Sequence, residues 1–371
     1  MISLSSCITR EYRILLSLNL IFSIALLYGS RLYFNIAPSY DDDFSRYYQN
    51  YLDVYDNISQ AMFVWGKGYE IGLPVFYKML SLIFPKLAPQ YVLFFTALSV
   101  ALLLYVWLET YGVRYVKQEQ RAALVAFSLF VGLFVESLGL TRQCFASVFL
   151  LYGFFIRPIY WKILFFAIAL SFHQSSIFVI ILSYFFYYFP RLGLLLFTGF
   201  LAFFISNSII VNLSLKEFTP IFKSLGNVGL YFAAYIDSNG YNPLSLVNTN
   251  IIKVILMMAM CFVLYIVNPR DKVTRNFKTI TLVCCVVYIT HIFPVRIVMI
   301  VCDLTFCFIL FVIFRHFFKL TLFFFFPYFL KLMYNYLINT DSPETNAIEL
   351  FFSYPESSLY PFYYFFQGAL L

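Results

Sequence analysis

Residues 163–189 read ILFFAIALSFHQSSIFVIILSYFFYYF. The stretch is apolar except at its middle, where His173, Gln174, Ser175 and Ser176 follow one another. A single crossing of a bilayer needs about 20 apolar residues, so this run is longer than one span requires. The polar interruption predicts two short helices meeting near 171–176, or one broken re-entrant helix. Non-helical backbone at membrane depth is tolerated only where it lines a cavity. The break therefore marks a place where polar chemistry faces a ligand rather than lipid.

The rest of the chain has the same character. Of 371 residues, 62% are hydrophobic and 12% charged, against about 25% charged in soluble domains. Apolar runs fall at 14–34, 71–85, 91–111, 122–140, 144–156, 163–189, 194–212, 251–267, 279–293, 297–314 and 320–338. They predict an all-α polytopic integral membrane protein of about 10–11 transmembrane helices, with residues 1–371 forming a single integral membrane domain. The first run is long enough to span rather than to serve as a cleaved signal. The seven cysteines carry no CxxC and no histidine at ligand spacing, and read as small hydrophobes. The net charge of +7 is read as positive-inside bias rather than as a nucleic-acid footprint, because the basic residues fall in short spacers between apolar runs.

Those spacers set a topology. Arg10 and Arg13, Arg114, Lys117 and Arg121, Arg157 and Lys162, Arg191, the cluster Arg270 to Lys278, and Arg315 with Lys319 can all lie in the cytoplasm. The run 71–85 must then be re-entrant or surface-lying rather than a full crossing, and 163–189 must return to the side where it began. The polar segments 36–69 and 213–250 and the tail 339–371 fall outside. In the first of these, the spacing of Tyr48, Tyr51 and Tyr55 puts them on one helical face.

Candidate site residues follow from the same topology. Arg142 lies in a short turn, Thr141-Arg142-Gln143, between two apolar runs, and Gln143 adds an amide hydrogen-bonding group. A charged side chain at membrane depth is costly and usually functional, although a snorkelling arginine touching lipid headgroups is the plainer alternative. Arg296 follows Pro294 in a similar setting, and Asp303, seven residues on, shares its helical face. A guanidinium offers a planar fork of donors that cannot lose its charge, which suits a diphosphate. His173, with Gln174 and Ser175 beside it, is a general base or a positive partner for phosphate, with a satisfied core histidine as the plainer alternative. Asp43 and Asp237 are acids of the outer segments. There is no HExxH and no phosphate-cradling glycine loop, so no metal and no cofactor is expected.

Arg142-Gln143 ahead of a helix, a basic turn, then Phe172-His173-x-Ser175, resembles the EpsG/Wzy-like family of bacterial polysaccharide polymerases. Asp43 to Tyr47, Glu70-x-Gly72, Arg296 before a late apolar run, and Tyr354-Pro355 with Tyr360-Pro361 carry the same likeness. This chain has Gln174 where a lysine is common in the family.

The resemblance implies a GT-C-like glycosyltransferase of the bacterial inner membrane. Such an enzyme polymerises undecaprenyl-diphosphate-linked oligosaccharide repeat units into O-antigen or a related surface polysaccharide, on the extracytoplasmic face. Its partners would be that lipid-linked oligosaccharide, the bilayer and a chain-length regulator. In this scheme Arg142 and Arg296 stabilise the diphosphate, and His173 takes the proton of the attacking hydroxyl, with Asp237 or Asp43 behind it. Gln143, Gln174, Ser175 and Asp303 bind substrate, and Tyr231 and Tyr235 stack on sugars. An O-antigen ligase, a lipid-linked oligosaccharide flippase and a membrane acyltransferase are the rival functions.

Overall fold

The structure is a computed structural model and describes residues 8–29, 43–66, 68–134 and 141–189, with 192, 195, 220 and 221. Backbone contacts divide the chain into two units, Met1–Ile180 with Met299–Leu371, and Ile181–Val298. All regular structure among the described residues is helical: α1 Arg10–Gly29, α2 Asp43–Asp56, α3 Ile58–Gly66, α4 Gly72–Ile83, α5 Pro89–Thr110, α6 Arg121–Phe134, α7 Thr141–Phe155, α8 Ile159–Phe172 and α9 Ser176–Tyr188, with short 3₁₀ turns at Gly112–Tyr115 and Gln118–Gln120. In the second unit, the described residues are chiefly the aromatic later part of α9, where the Tyr184 and Tyr188 rings stack at 6.1 Å.

One described segment, Pro89–Arg114, is both long and apolar enough to cross a bilayer. It contains α5, which starts with Pro89 in the first helical turn, where a missing N–H costs nothing. α4, α8 and α9 are apolar but have only 12, 14 and 13 residues. At about 1.5 Å per residue each is about 20 Å long, shorter than the roughly 30 Å hydrocarbon core. The other expected crossings fall on shorter helices or outside the described residues. Met79, Leu82 and Ile83 on α4 and Ile159, Tyr160 and Ile163 on α8 are exposed apolar rows. Water is a poor solvent for such rows, and lipid is a good one.

Two ends can be told apart in the first unit. α1 and α5 run antiparallel, with Phe22 edge-on to Phe94 near one end. At the other end the Arg13 guanidinium grips Glu109 at 2.7 and 2.9 Å. The helix α1 begins a turn earlier than its apolar run, because Arg13 can enter it once Glu109 neutralises the charge. α7 runs alongside α5 in the same direction: the Tyr152 hydroxyl donates to the Leu103 carbonyl at 2.9 Å, and Phe155 packs edge-on to Trp107. α8 turns back after Ile156-Arg157-Pro158 and stacks on α7, with Phe165 on Phe149 and Phe172 on Phe145. Arg13, Glu109 and Arg157 therefore share one end, and Arg142 and His173 share the other.

Close helix approach rests on small residues, as expected where lipid removes the hydrophobic drive for helix association. At Gly153 a Cβ would strike the Phe166 ring. At Gly72 it would sit 2.8 Å from the Phe172 ring and 2.9 Å from the Phe172 backbone nitrogen. The second contact fixes the start of α4 against the end of α8.

Outside these helices, α2 and α3 form a folded hairpin. The Asn57 side chain caps α3 by accepting from the Ser59 and Gln60 N–H groups at 3.0 and 3.2 Å. The Trp65 indole donates back to Asp53 at 2.7 Å. Tyr48, Tyr51 and Tyr55 do share a face, and they clamp the α4–α5 connection. Tyr48 donates to the Leu87 carbonyl at 3.1 Å, and the Leu87 N–H donates to Tyr51 at 3.0 Å. The Tyr51 and Tyr55 hydroxyls meet at 2.8 Å, and Tyr55 donates on to the Phe84 carbonyl at 3.4 Å. Burial raises both the Tyr48 and the Tyr51 phenol above the usual range; Tyr55 adds to both, by its hydrogen bond in the case of Tyr51. The hydroxyls therefore stay protonated and available as donors.

Candidate active site

The polar interruption at 173–175 is a true break. α8 ends when the His173 N–H reaches back to Ala169 O at 3.0 Å, and His173 itself is extended. The chain resumes as a turn in which the Ser176 N–H bonds His173 O at 3.0 Å. Ser171 Oγ and Ser176 Oγ turn back onto the carbonyls of Ile168 and Ala169, the local competition with the helix that serine offers. The break leaves the Gln174 N–H outside any helical ladder. A buried N–H must find an acceptor, and here the acceptor is the carboxylate of Glu70, at 2.8 Å.

Glu70 is the centre of the site. It is buried, two residues before the close contact at Gly72. Its Oε1 receives the Gln174 N–H and lies 3.4 Å from His173 Nδ1. Its Oε2 receives Arg142 Nη1 at 2.7 Å. One carboxylate thus joins the approach to α4, the first turn of α7 and the α8–α9 break.

Arg142 sits in the opening turn of α7 itself, rather than in a separate turn between helices. A helix N-terminus carries partial positive charge and disfavours a cation. Glu70 offsets this. The guanidinium also donates from Nε to the Tyr47 hydroxyl at 3.5 Å and lies 5.4 Å over the Tyr47 ring, a cation–π arrangement. Its side chain is 29% exposed against 16% for His173 and 8% for Glu70. Arg142 is thus the member of the cluster that a ligand reaches most readily.

His173 Nδ1 has two further neighbours, Ser175 Oγ at 2.9 Å and the Ser175 N–H at 3.4 Å. Gln143 is buried on α7, and its Oε1 has no hydrogen-bond partner among the described residues; Thr141 Oγ1 is in the same position.

The structure thus brings together Arg142, His173, Gln174 and Ser175, with Gln143 one residue from the cluster. Asp43 is described as the first residue of α2. Asp237, Tyr231, Tyr235, Arg296 and Asp303 lie outside the described residues. Sequence reasoning misses Glu70 as a site residue. Its partners are 72 and 104 positions away, and the one local signal is the Glu70-x-Gly72 pairing of an acid with a residue lacking a Cβ. Tyr47, the platform beneath Arg142, is missed as well.

Chemically, the cluster holds a partly accessible guanidinium oriented by a buried carboxylate, beside an imidazole on the same carboxylate. That combination can bind an anionic group and place a proton acceptor next to it.

No curated protein and no solved structure matches the chain. A family model does, the EpsG family, over residues 14–347. The match includes Glu70, Arg142 and His173. The family points to a polymerase-like role in polysaccharide biosynthesis, and the apolar helix Pro89–Arg114 agrees with a membrane protein. The chain belongs to the EpsG family.

Proposed function

We propose that the protein is a polytopic, GT-C-like glycosyltransferase of the bacterial inner membrane. It polymerises undecaprenyl-diphosphate-linked repeat units into O-antigen or a related surface polysaccharide. The observation that carries this reading is the Glu70–Arg142–His173 cluster, set at the end of α7 and α8 remote from the basic turn at Arg157. Basic turns mark the cytoplasmic side, so the cluster belongs outside, where lipid-linked repeat units are joined.

In the reaction, a sugar hydroxyl attacks the anomeric carbon of the donor glycan. The bond from that carbon to the diphosphate oxygen breaks, and the carrier diphosphate leaves with the electron pair. Arg142, with Arg296 as its expected partner, stabilises the charge that builds on the diphosphate; removing one such preorganised donor typically costs about 10²–10³-fold in rate. The hydroxyl proton passes to His173, with Asp237 or Asp43 as the alternative acceptor. Gln143, Gln174, Ser175 and Asp303 contact substrate, and Tyr231 and Tyr235 stack on sugars. A chain-length regulator is the expected protein partner.

Deletion of the gene, followed by sizing of the surface polysaccharide, tests the function. Single repeat units in place of long chains are expected. Full-length polymer left on the lipid carrier would identify a ligase instead, and repeat units trapped on the cytoplasmic side would identify a flippase.

A further inference from the structure

We propose that Glu70 is a positioning residue that selects the tautomer of His173 while it orients Arg142. The inference rests on the reading of His173 as the proton acceptor. Nδ1 of His173 meets three groups whose demands conflict. The Ser175 N–H at 3.4 Å asks for a lone pair. Glu70 Oε1 at 3.4 Å asks for a proton. Ser175 Oγ at 2.9 Å serves either, since a hydroxyl donates or accepts. The N–H contact is longer than an ordinary hydrogen bond, whereas a carboxylate's charge acts strongly at this distance in a buried site. Glu70 therefore decides in favour of Nδ1–H, which donates to Ser175 Oγ. Nε2 is left with its lone pair, the form that can take a proton from a sugar hydroxyl. Glu70 then stabilises the imidazolium that results, and Arg142 is the charged group facing it from α7.

The role needs a carboxylate in particular. Glu70 accepts on both oxygens, from Arg142 on one and from Gln174 on the other. A glutamine has one acceptor oxygen and one NH₂ donor. In Glu70→Gln the amide oxygen stays with Arg142, and the NH₂ turns toward Gln174 and His173. Nδ1 must then accept, from Ser175 and from the new amide, and the proton moves to Nε2. Glu70→Asp keeps two acceptor oxygens on a shorter stem.

The test uses full-length protein in detergent micelles, labelled with ¹⁵N-histidine, with the His173 signal assigned by His173→Gln. Turnover is measured in parallel on lipid-linked repeat units extracted from the deletion strain. Wild type is expected to show the Nδ1–H form, Glu70→Gln the Nε2–H form with kcat reduced about 10²-fold or more, and Glu70→Asp the Nδ1–H form with an intermediate rate. A Glu70→Gln protein that keeps the Nδ1–H form overturns the inference, as does an Nε2–H wild type. If wild type polymerises nothing, the proposed function fails, and the imidazole signals still decide whether Glu70 sets the tautomer.

Discussion

Arg142 and Glu70 stand 72 positions apart in the chain and meet at 2.7 Å, guanidinium to carboxylate. The two are unequally placed: Glu70 is buried and Arg142 is partly open. Arg142→Ala therefore leaves one oxygen of a buried carboxylate without its partner, the other still held by the Gln174 N–H, whereas Glu70→Ala leaves a guanidinium that can still reach water. In a double-mutant cycle read by thermal unfolding in detergent, the pair should show a coupling energy of about 1–3 kcal/mol, with Arg142→Ala the more destabilising single change. Additive effects would mean that the contact contributes nothing to stability.

Arg142→Lys should not rescue function. An ammonium is a point charge and cannot both hold Glu70 and present a planar fork to a phosphate. Polymer length should fall as far as in Arg142→Ala, with the protein still in the membrane. Restoration of full-length chains by lysine would show that charge alone suffices.

Gly72→Ala should damage the site without touching a polar group. The new Cβ meets the Phe172 backbone nitrogen at 2.9 Å, and backbone cannot swing aside as a side chain can. A cost of about 1–3 kcal/mol is expected, together with loss of long-chain polymer as Glu70 is pushed away from Gln174. Trimming the Phe172 ring should not restore activity, because the nitrogen remains. The check is unfolding temperature and polymer size in Gly72→Ala and in Gly72→Ala/Phe172→Leu.

Glu109→Ala is the matching test at the opposite end. It leaves Arg13 buried without its carboxylate, and breaking such a pair costs about 3–5 kcal/mol. The unfolding temperature should drop while the chains made at permissive temperature keep their normal length. Shortened chains would mean that the two ends are coupled.

Several elements of the site are legible in the amino-acid sequence. The polar break stands out because four polar residues, His173 to Ser176, interrupt a long apolar run, and lipid leaves few ways to satisfy such backbone. The Tyr48, Tyr51 and Tyr55 face follows from helical spacing. Arg142 is visible as a charge among apolar residues, although its place inside the first turn of α7 is not, since Thr141 gives no strong start signal. Glu70 is hidden for a physical reason. It sits in a connector with ordinary outer-segment neighbours, and its meaning comes only from partners on α7 and at the α8–α9 break. Contacts over such separations leave no periodicity to detect. The close approach at Gly72 that makes them possible is a property of two helices together.

In the proposed topology the Glu70–Arg142–His173 cluster is expected to face the outside of the cell and the Arg157 turn the cytoplasm. Tyr69, beside Glu70, and Arg157 are both exposed, so each can be changed to cysteine in a background stripped of the native thiols. Intact cells are then treated with a membrane-impermeant thiol reagent. Tyr69→Cys should be labelled and Arg157→Cys should react only after the cells are opened. Labelling of Arg157→Cys in intact cells, with Tyr69→Cys protected, would contradict the account.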